Sequence, residues 1–486
     1  MEEDMPSDIT QLKPALLWNY FDEIRKIPRC SKHEEKIGAY VLSVAEKLGF
    51  EAKQDEAGNV VIIKPATPGH ENAPGVVLQG HLDMVCEKNS DVDFDFSKDP
   101  IEVMIDGDWV TANGTTLGAD NGIGVAASLA VLEDKDLVHG PLEMLFTTDE
   151  ETGLNGANSL KSDFLKGRIL LNLDSEEEGE FSIGCAGGAD SEMKLPIRRG
   201  GGKGDKALKI TLAGLRGGHS GIDIHTGRGN AVQLLARMLY KLDCPYQLST
   251  LEGGNKHNAI PREGFATLSL AADKVESFKK ALMKRFEEIQ FEFRSVEKDI
   301  KLQIDNIPAA DKTPMDADSQ NKFLAMLVGL PHGVMAMSQE IEGLVETSNN
   351  VAIIRTEDNE ATLYTSTRSS ILSALEATRI KIEAISDTAG ATIHHHDGYP
   401  AWTPNLDSAI LKVMKKVYKD LFGNEPKVMA IHAGLECGII GEKYDGMDMI
   451  SFGPDLQNPH SPDERIHHGS VERFYQLLAA TLKELA

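Results

Sequence analysis

Apolar positions along the first third of the chain switch between two periods. Residues 14–27 (PALLWNYFDEIRKI) and 34–50 (EEKIGAYVLSVAEKLGF) carry them at helical spacing, the second run closing near Gly49. Residues 59–64 (NVVIIK) and 75–80 (GVVLQG) are short, almost wholly apolar runs that predict buried strands. A helix rich in small residues follows at 122–134 (GIGVAASLAVLED), then strands at 142–148 (LEMLFTT) and 168–174 (RILLNLD). Such alternation predicts an α/β layer with a mostly parallel sheet flanked by helices.

The rhythm then changes. Two glycine-rich stretches, 184–192 (GCAGGADSE) and 199–205, read as a hinge and a loop. Beyond them come a strand at 207–214, a helix at 230–242, a strand at 265–272, a helix at 275–293 and a strand at 299–304. A similar order recurs without detectable identity: a helix at 321–330, strands across 334–348, 351–356 and 360–370, a helix at 372–390 and a strand at 391–396. The α/β rhythm resumes after 400–405 (PAWTPN), with a helix at 406–421, strands at 427–432 and 447–453, and a helix from about 470. The expected architecture is an α/β domain built from residues 1–186 and 400–486. It is interrupted by an inserted α+β domain, 187–399, of two similar halves.

Composition narrows the function. The 486 residues exceed one ordinary core. Acids outnumber bases 76 to 50, a net charge of −26, which repels nucleic acid and anionic membranes and removes both as expected partners. No apolar run approaches the ~18 residues of a membrane span, and the acidic start (MEEDMPSD) has no signal-peptide pattern. Five scattered cysteines, none in a CxxC pair, predict free buried thiols in a reducing cytoplasm.

Every candidate for chemistry lies where a predicted strand ends, the place at which open α/β sheets build their sites. His81 and Asp83 follow 75–80 in HLDMV, and Asp120 lies in the loop GTTLGADNG. Asp149, Glu150 and Glu151 follow 142–148, Asp174 ends 168–174, and His460 follows 447–453 in NPHSPDERI. Singly, each has an ordinary explanation: a hydrogen-bonded histidine, a helix N-cap at Asp120, a solvated acidic loop. Together, at five ends of one sheet, they point to metal. Imidazole and carboxylate without cysteine suit zinc and neighbouring divalent ions, and two ions can share one bridging carboxylate. Asp83, two residues from His81, faces the same side in extended backbone and can orient the imidazole. Glu150 and Glu151 face opposite ways, so one can bind metal while the other moves a proton from an activated water to a leaving amine.

The insert adds His219 in GLRGGHSGID, Asn258 in KHNAIPRE and Arg368 in STRSS. An arginine suits a substrate carboxylate, although a surface salt bridge is its commoner fate, and His219 could stabilise an oxyanion. The tract His394–His396 alternates faces on a strand and cannot share one ion, so it reads as structural or surface, as do His467 and His468.

The motifs VVLQGHLDMV, ANGTTLGADNGIG, LFTTDEETG, ILLNLDSEEEGE, GLRGGHSG, NAIPRE, HAGLECG and NPHSPDERI run in order along essentially the whole chain. They resemble those of the aminoacyl-histidine (Xaa-His) dipeptidases, cytosolic non-specific dipeptidases of the dinuclear-zinc carnosinase and aminoacylase superfamily. The resemblance implies that His81 and Asp174 bind one ion, Glu151 and His460 the other, and that Asp120 bridges. It implies Asp83 as the aspartate behind His81, Glu150 as general base, and a cis peptide at Asp120–Asn121. His219, Asn258, Arg368 and the Gly434 loop would hold the substrate, with His219 at the oxyanion and Arg368 at the C-terminal carboxylate. The implied cofactor is two divalent ions per chain, zinc expected, with cobalt or manganese able to substitute. The implied substrates are small peptides, Xaa-His and other unsubstituted dipeptides.

The resemblance also implies that residues 1–186 and 400–486 are the catalytic domain and the insert 187–399 its lid, and that in smaller relatives the lid histidine acts across a dimer interface. The second half of this longer lid could stand in for a partner's, so a homodimer, and which chain His219 serves, stay open. Asp149 receives no role beyond helping to fix its loop. Two rival readings stand beside the dipeptidase. One is an N-acyl amino-acid deacylase or tripeptide aminopeptidase using the same metals. The other is a metal-binding protein without turnover, against which the intact Glu150 argues.

Overall fold

The structure is a computed structural model that describes residues 8–200, 204–310 and 312–486. The acidic stretch 1–7 and the centre of the 199–205 glycine cluster lie outside the described residues. Two compact units divide the chain: Met1–Cys185, Trp402–Ala430 and Leu435–Ala486 form one, and Ala186–Ala401 with Ile431–Gly434 the other.

In the first unit, four parallel strands form the centre of an eight-stranded sheet. Side by side, they are Leu142–Thr147, Val76–His81, Ile169–Asn172 and Asp448–Ser451. The first two are buried along their whole length, which accounts for their mostly apolar sequence. Antiparallel pairing is confined to the flanks, with Val60–Lys64 and Glu51–Gln54 on one side and Glu180–Cys185 on the other. Parallel central strands bring their C-terminal residues, His81, Thr147 and Asn172, to one edge of the sheet. The helix Ala119–Glu133 buries nearly every residue against this layer. Its small side chains permit the approach: a Cβ on Gly124 would lie 2.7 Å from the Leu173 carbonyl oxygen. A separate four-stranded sheet pairs Arg465–His467 with Trp109–Ala112 and anchors the loop that carries His460.

One sequence expectation is overturned here. Cys30 and Cys86 form a disulfide, with Cα atoms 5.7 Å apart, while Cys185, Cys244 and Cys437 are free and buried. The bridge joins segments 56 residues apart that meet through a β-bridge between Cys30 and Met84, a proximity that spacing along the chain does not reveal. Among the described residues, no helix is long and apolar enough to cross a membrane.

The second unit is a nine-stranded sheet with internal symmetry. Its order runs Lys301–Ile307, Lys206–Ala213, Gly264–Leu270, Gln247–Gly253, Val345–Thr356, Glu360–Ser369, Gly187–Pro196, Thr392–His395, with Gly333–Met337 paired to Val345–Thr356. Read from either end towards the middle, the two halves repeat the same arrangement, each with two helices: Ala231–Leu239 and Val275–Glu292, then Ala317–Gly329 and Leu372–Ala389. The first strand of the second half is therefore Gly187–Pro196, which precedes the first half in the chain. That stretch includes most of the supposed hinge at 184–192, which is strand on both sides of Ala186. Its glycines reflect crowding, since a Cβ on Gly187 would lie 2.7 Å from the Ala401 nitrogen and the Tyr399 oxygen. Fully buried Leu208, Leu235, Phe278, Phe323, Leu363 and Ile382 contribute to one core shared by both halves.

Candidate active site

In the first unit, the ends of the central strands gather seven of the sequence candidates. His81 presents Nε2 to Asp120 Oδ1 at 3.0 Å and to Asp174 Oδ1 at 3.4 Å. His460 presents Nε2 to Asp120 Oδ2 and to Glu151 Oε2, both at 3.0 Å. Asp120 thus gives one oxygen to each imidazole, and each imidazole has a second carboxylate of its own. Donor atoms of His81, Asp120 and Asp174 lie within 4.8 Å of one another, as do those of Asp120, Glu151 and His460, and those of His81, Glu150 and Glu151. The Asp120–Asn121 peptide is cis, and Asn121 donates its side-chain amide to Leu173 O at 2.7 Å.

Behind this cluster, Asp83 is wholly buried, with Oδ1 3.3 Å from His81 Nδ1. Its two oxygens also accept the amides of Glu150 at 3.0 Å and Glu151 at 3.2 Å, and Ser31 Oγ donates to Oδ2 at 2.8 Å. Asp149 turns the chain with a positive φ of 50°. Its carboxylate accepts Thr152 Oγ1 at 2.6 Å and Asn155 Nδ2 at 2.7 Å, while its amide donates to Glu34 Oε1 at 3.0 Å. The first acid of the DEE run therefore braces the loop.

The electrostatics are those of crowded carboxylates around two imidazoles. Burial pulls the His81 pKa down, yet Asp174, Asp120 and Asp83 raise it well above the ordinary value. Hydrogen bonds donated to the Asp120 and Glu151 carboxylates push His460 up to about 11. Burial raises Asp174 to about 6 and lifts Glu150 well above the carboxylate range, with Asp174, Glu436 and Glu151 adding repulsion. Burial opposes ionisation of Asp83, but the hydrogen bond and charge of His81 hold it down at about 2. Glu151 Oε1 is buried with no hydrogen-bond partner among the described residues. A site with surplus acceptors and an orphaned carboxylate oxygen lacks positive charge.

Two buried acids here were missed, although both lie within motifs already quoted. Glu436 of HAGLECG accepts Gln79 Nε2 at 2.6 Å and Thr147 Oγ1 at 2.7 Å, and Gln79 Oε1 accepts Asn172 Nδ2 at 2.5 Å. This chain links three central strands just below the residues they present. Glu464 of NPHSPDERI accepts backbone amides from Leu117 to Asp120. The available signal was an acid embedded beside Leu435 and Cys437 or four places after His460.

In the second unit, Gly218–His219 pairs with Ala259–Ile260, and the Asn258 carbonyl accepts the Ser220 amide at 2.8 Å. His219 Nδ1 accepts the amides of Gly221 at 3.2 Å and Ile222 at 3.1 Å, so the neutral ring carries its proton on Nε2. Burial, then Arg368, lowers its pKa and favours that neutral form. Arg368 is buried and donates to Tyr399 Oη at 2.7 Å, while its Nε has no partner among the described residues. Gly434 lies against the Tyr399 ring, where a Cβ would come within 2.9 Å. His432, unremarked in the sequence, accepts or donates at Nε2 with Ser348 Oγ at 2.7 Å, and burial beside Arg368 holds it down at about 3. Of the histidines set aside, His467 caps the final helix by accepting the Ser470 amide at 3.0 Å. His394–His396 join no metal-donor group among the described residues.

A parallel-centred α/β sheet bearing imidazoles and carboxylates at its strand ends, with an inserted α+β unit, defines a hydrolase of the metallopeptidase type. The chain belongs to peptidase family M20/M25/M40, whose sequence model matches residues 77–484. It is similar to the cytosol non-specific dipeptidase of Escherichia coli K12, with 44% identity over 99% of both chains. It is also similar to the crystal structure of aminoacylhistidine dipeptidase from Vibrio alginolyticus, with 46% identity, a TM-score of 0.90 and 98% of each chain covered. Aminopeptidase PepT from Bacillus cereus, at 16% identity and a TM-score of 0.58 over 98% of this chain and 99% of that one, shares the fold.

Proposed function

We propose that the chain is a dinuclear metal-dependent dipeptidase of the cytoplasm, acting on Xaa-His and other unsubstituted dipeptides. The observation that carries the reading is Asp120, which turns one carboxylate oxygen to each of two histidines. The donor set fits divalent ions: it is imidazole and carboxylate throughout, its atoms lie close together, and buried Glu151 Oε1 has no partner among the described residues. His81, Asp120 and Asp174 would hold one ion, and Asp120, Glu151 and His460 the other, with zinc the expected metal. The ions supply Lewis acidity that polarises the scissile carbonyl and acidifies an attacking water.

The remaining work falls to side chains of this protein. Asp83 engages Nδ1 of His81 and leaves Nε2 facing the cluster. Glu150, held by its amide to Asp83, takes the proton of the attacking water on a carboxylate oxygen and delivers it to the nitrogen of the departing amine. His219, protonated at Nε2, is the donor assigned to the oxyanion that develops on the substrate carbonyl. Arg368 is assigned to the free C-terminal carboxylate, with Asn258 and Gly434 as further substrate contacts; reading that carboxylate restricts the substrate to dipeptide length. The cytoplasmic assignment draws on the resemblance to a cytosol dipeptidase. The Cys30–Cys86 disulfide is the feature that runs against a reducing compartment.

The test is a hydrolysis panel on metal-analysed protein: carnosine, several Xaa-His dipeptides, Gly-Gly, tripeptides and acetyl-amino acids. Turnover of dipeptides with little on the last two classes supports the reading. Activity confined to acetyl-amino acids or tripeptides overturns it.

A further inference from the structure

We infer that Glu464 is a positioning residue that fixes Asp120 and His460 together, a role that rests on the metal reading above. Glu464 is 1% exposed, and its carboxylate fills a cradle of four consecutive backbone amides. Oε2 accepts from Leu117 at 2.8 Å and Gly118 at 2.9 Å, and Oε1 accepts from Ala119 at 2.8 Å and Asp120 at 3.3 Å. The cradle exists because Gly118 adopts a left-handed φ of 71°, which turns successive N–H groups to one side. A side chain there would also strike Arg29, since a Cβ would lie 2.6 Å from Nη2. These four amides lie in the turn that leads into the helix within Ala119–Glu133, whose regular winding begins only after Asp120 and Asn121, both non-helical, and the carboxylate that accepts them comes from 346 residues along the chain.

The carboxylate that fills the cradle has a second attachment. Glu464 lies four residues after His460, in a turn closed by the Glu464 amide donating to Ser461 O at 3.1 Å. The Glu464 carbonyl accepts Thr111 Oγ1 at 3.0 Å, and the next residue enters the strand Arg465–His467 paired with Trp109–Ala112. His460 is itself half exposed with a positive φ of 60°, and its ring is held by Asp120 and Glu151. One side chain therefore ties the backbone of Asp120 to the loop presenting His460. The two groups that must meet across the metal site are set by the same four hydrogen bonds. Arg29 braces the other side of the cradle, donating to Gly118 O, to Leu82 O at 3.0 Å and to Asp83 O at 2.7 Å.

A merely structural contact would stabilise the fold and leave metal binding alone, so the test separates these effects. Full-length wild type, Glu464→Gln, Thr111→Val and Ser408→Ala are compared by chelator competition for zinc, by the visible spectrum of the cobalt-loaded protein and by melting of the metal-free protein. Ser408→Ala removes the N-cap of the distant helix Ala409–Phe422 and serves as a stability control. In Glu464→Gln the new amide group must face backbone donors, and one metal site is expected to weaken by roughly 10–100-fold with an altered cobalt spectrum. Thr111→Val, which keeps the carboxylate, should shift both readouts the same way by less, and it carries the test if the glutamine variant does not fold. Ser408→Ala should lower the melting temperature with unchanged affinities. Wild-type affinities in Glu464→Gln, or in Thr111→Val should it stand alone, or equal weakening in Ser408→Ala, overturn the inference while leaving the metal reading intact. A wild-type chain that takes up no metal overturns the metal reading and the inference with it.

Discussion

Asp83 receives the backbone amide of Glu150 at 3.0 Å while its carboxylate lies 3.3 Å from Nδ1 of His81. One buried carboxylate thus fixes both the proposed general base and a proposed ligand. Asp83→Asn keeps the shape but sets an amide N–H against one of these donors. It should lower metal affinity or turnover by roughly 10–100-fold, measured as metal content and kcat on the same preparation. Full activity with full metal would exclude the coupling.

Glu150 is the proposed general base, and its neighbour Glu151 faces His460 instead. Glu150→Gln should reduce kcat by about 10²–10⁴-fold while metal content stays near that of wild type. If metal is lost together with turnover, Glu150 is a ligand instead.

Much of the candidate site was legible because parallel central strands end together, so His81, Glu150, Glu151 and Asp174 fall at or just past an apolar run, while Asp120 stood out only as an acid in a glycine-flanked loop. His460 was legible from the resemblance of its motif more than from pattern. What escaped were partners distant in sequence. Glu436 and Gln79 are 357 residues apart, and the Gly187–Pro196 strand completes a half-domain whose other elements begin 130 residues later. Glycine signalled flexibility at 184–192, whereas the structure uses it for close packing against Tyr399 and Ala401.

The Glu436 network predicts opposite behaviour for two substitutions. Glu436→Ala removes the acceptor of both Gln79 and Thr147 and empties buried volume, a loss of about 2–5 kcal/mol. Glu436→Gln can still accept both bonds through its carbonyl oxygen, so its melting temperature should stay close to wild type. Equal destabilisation by the two would show that the charge, and not the acceptor, is what the interior requires.

Protonation sets the pH behaviour of the metal-free protein. His460, raised to about 11, contributes stability that is fully present below its unfolded value near 6.5 and fades as pH rises towards 11. Asp174, raised to about 6, keeps a proton that the unfolded chain releases near 4, so stability falls as pH rises through that window as well. Chelator-treated protein should therefore melt at progressively lower temperature as pH rises above about 6.5, beyond the range in which His432, held down at about 3, has the opposite effect. Metal must displace the protons of His81 and His460, so uptake at pH 7 should release about two protons per chain and tighten with pH. Calorimetric titration in buffers of different ionisation enthalpy measures that number, and a value near zero would contradict the paired arrangement.

Arg368 and Tyr399 give the most direct handle on substrate length. Arg368 donates to Tyr399 Oη from one guanidinium nitrogen and has a buried, unpartnered Nε among the described residues, so the group retains donors for a carboxylate. Arg368→Ala should raise KM and lower kcat/KM for dipeptides by roughly 10–100-fold, the worth of a charge-assisted hydrogen bond. Wild type should discriminate strongly between a dipeptide and its C-terminal amide, and the variant should not. The comparison separates carboxylate recognition from general damage, because damage lowers both substrates alike whereas loss of the contact removes the difference between them. Unchanged discrimination in Arg368→Ala would transfer carboxylate binding to another residue.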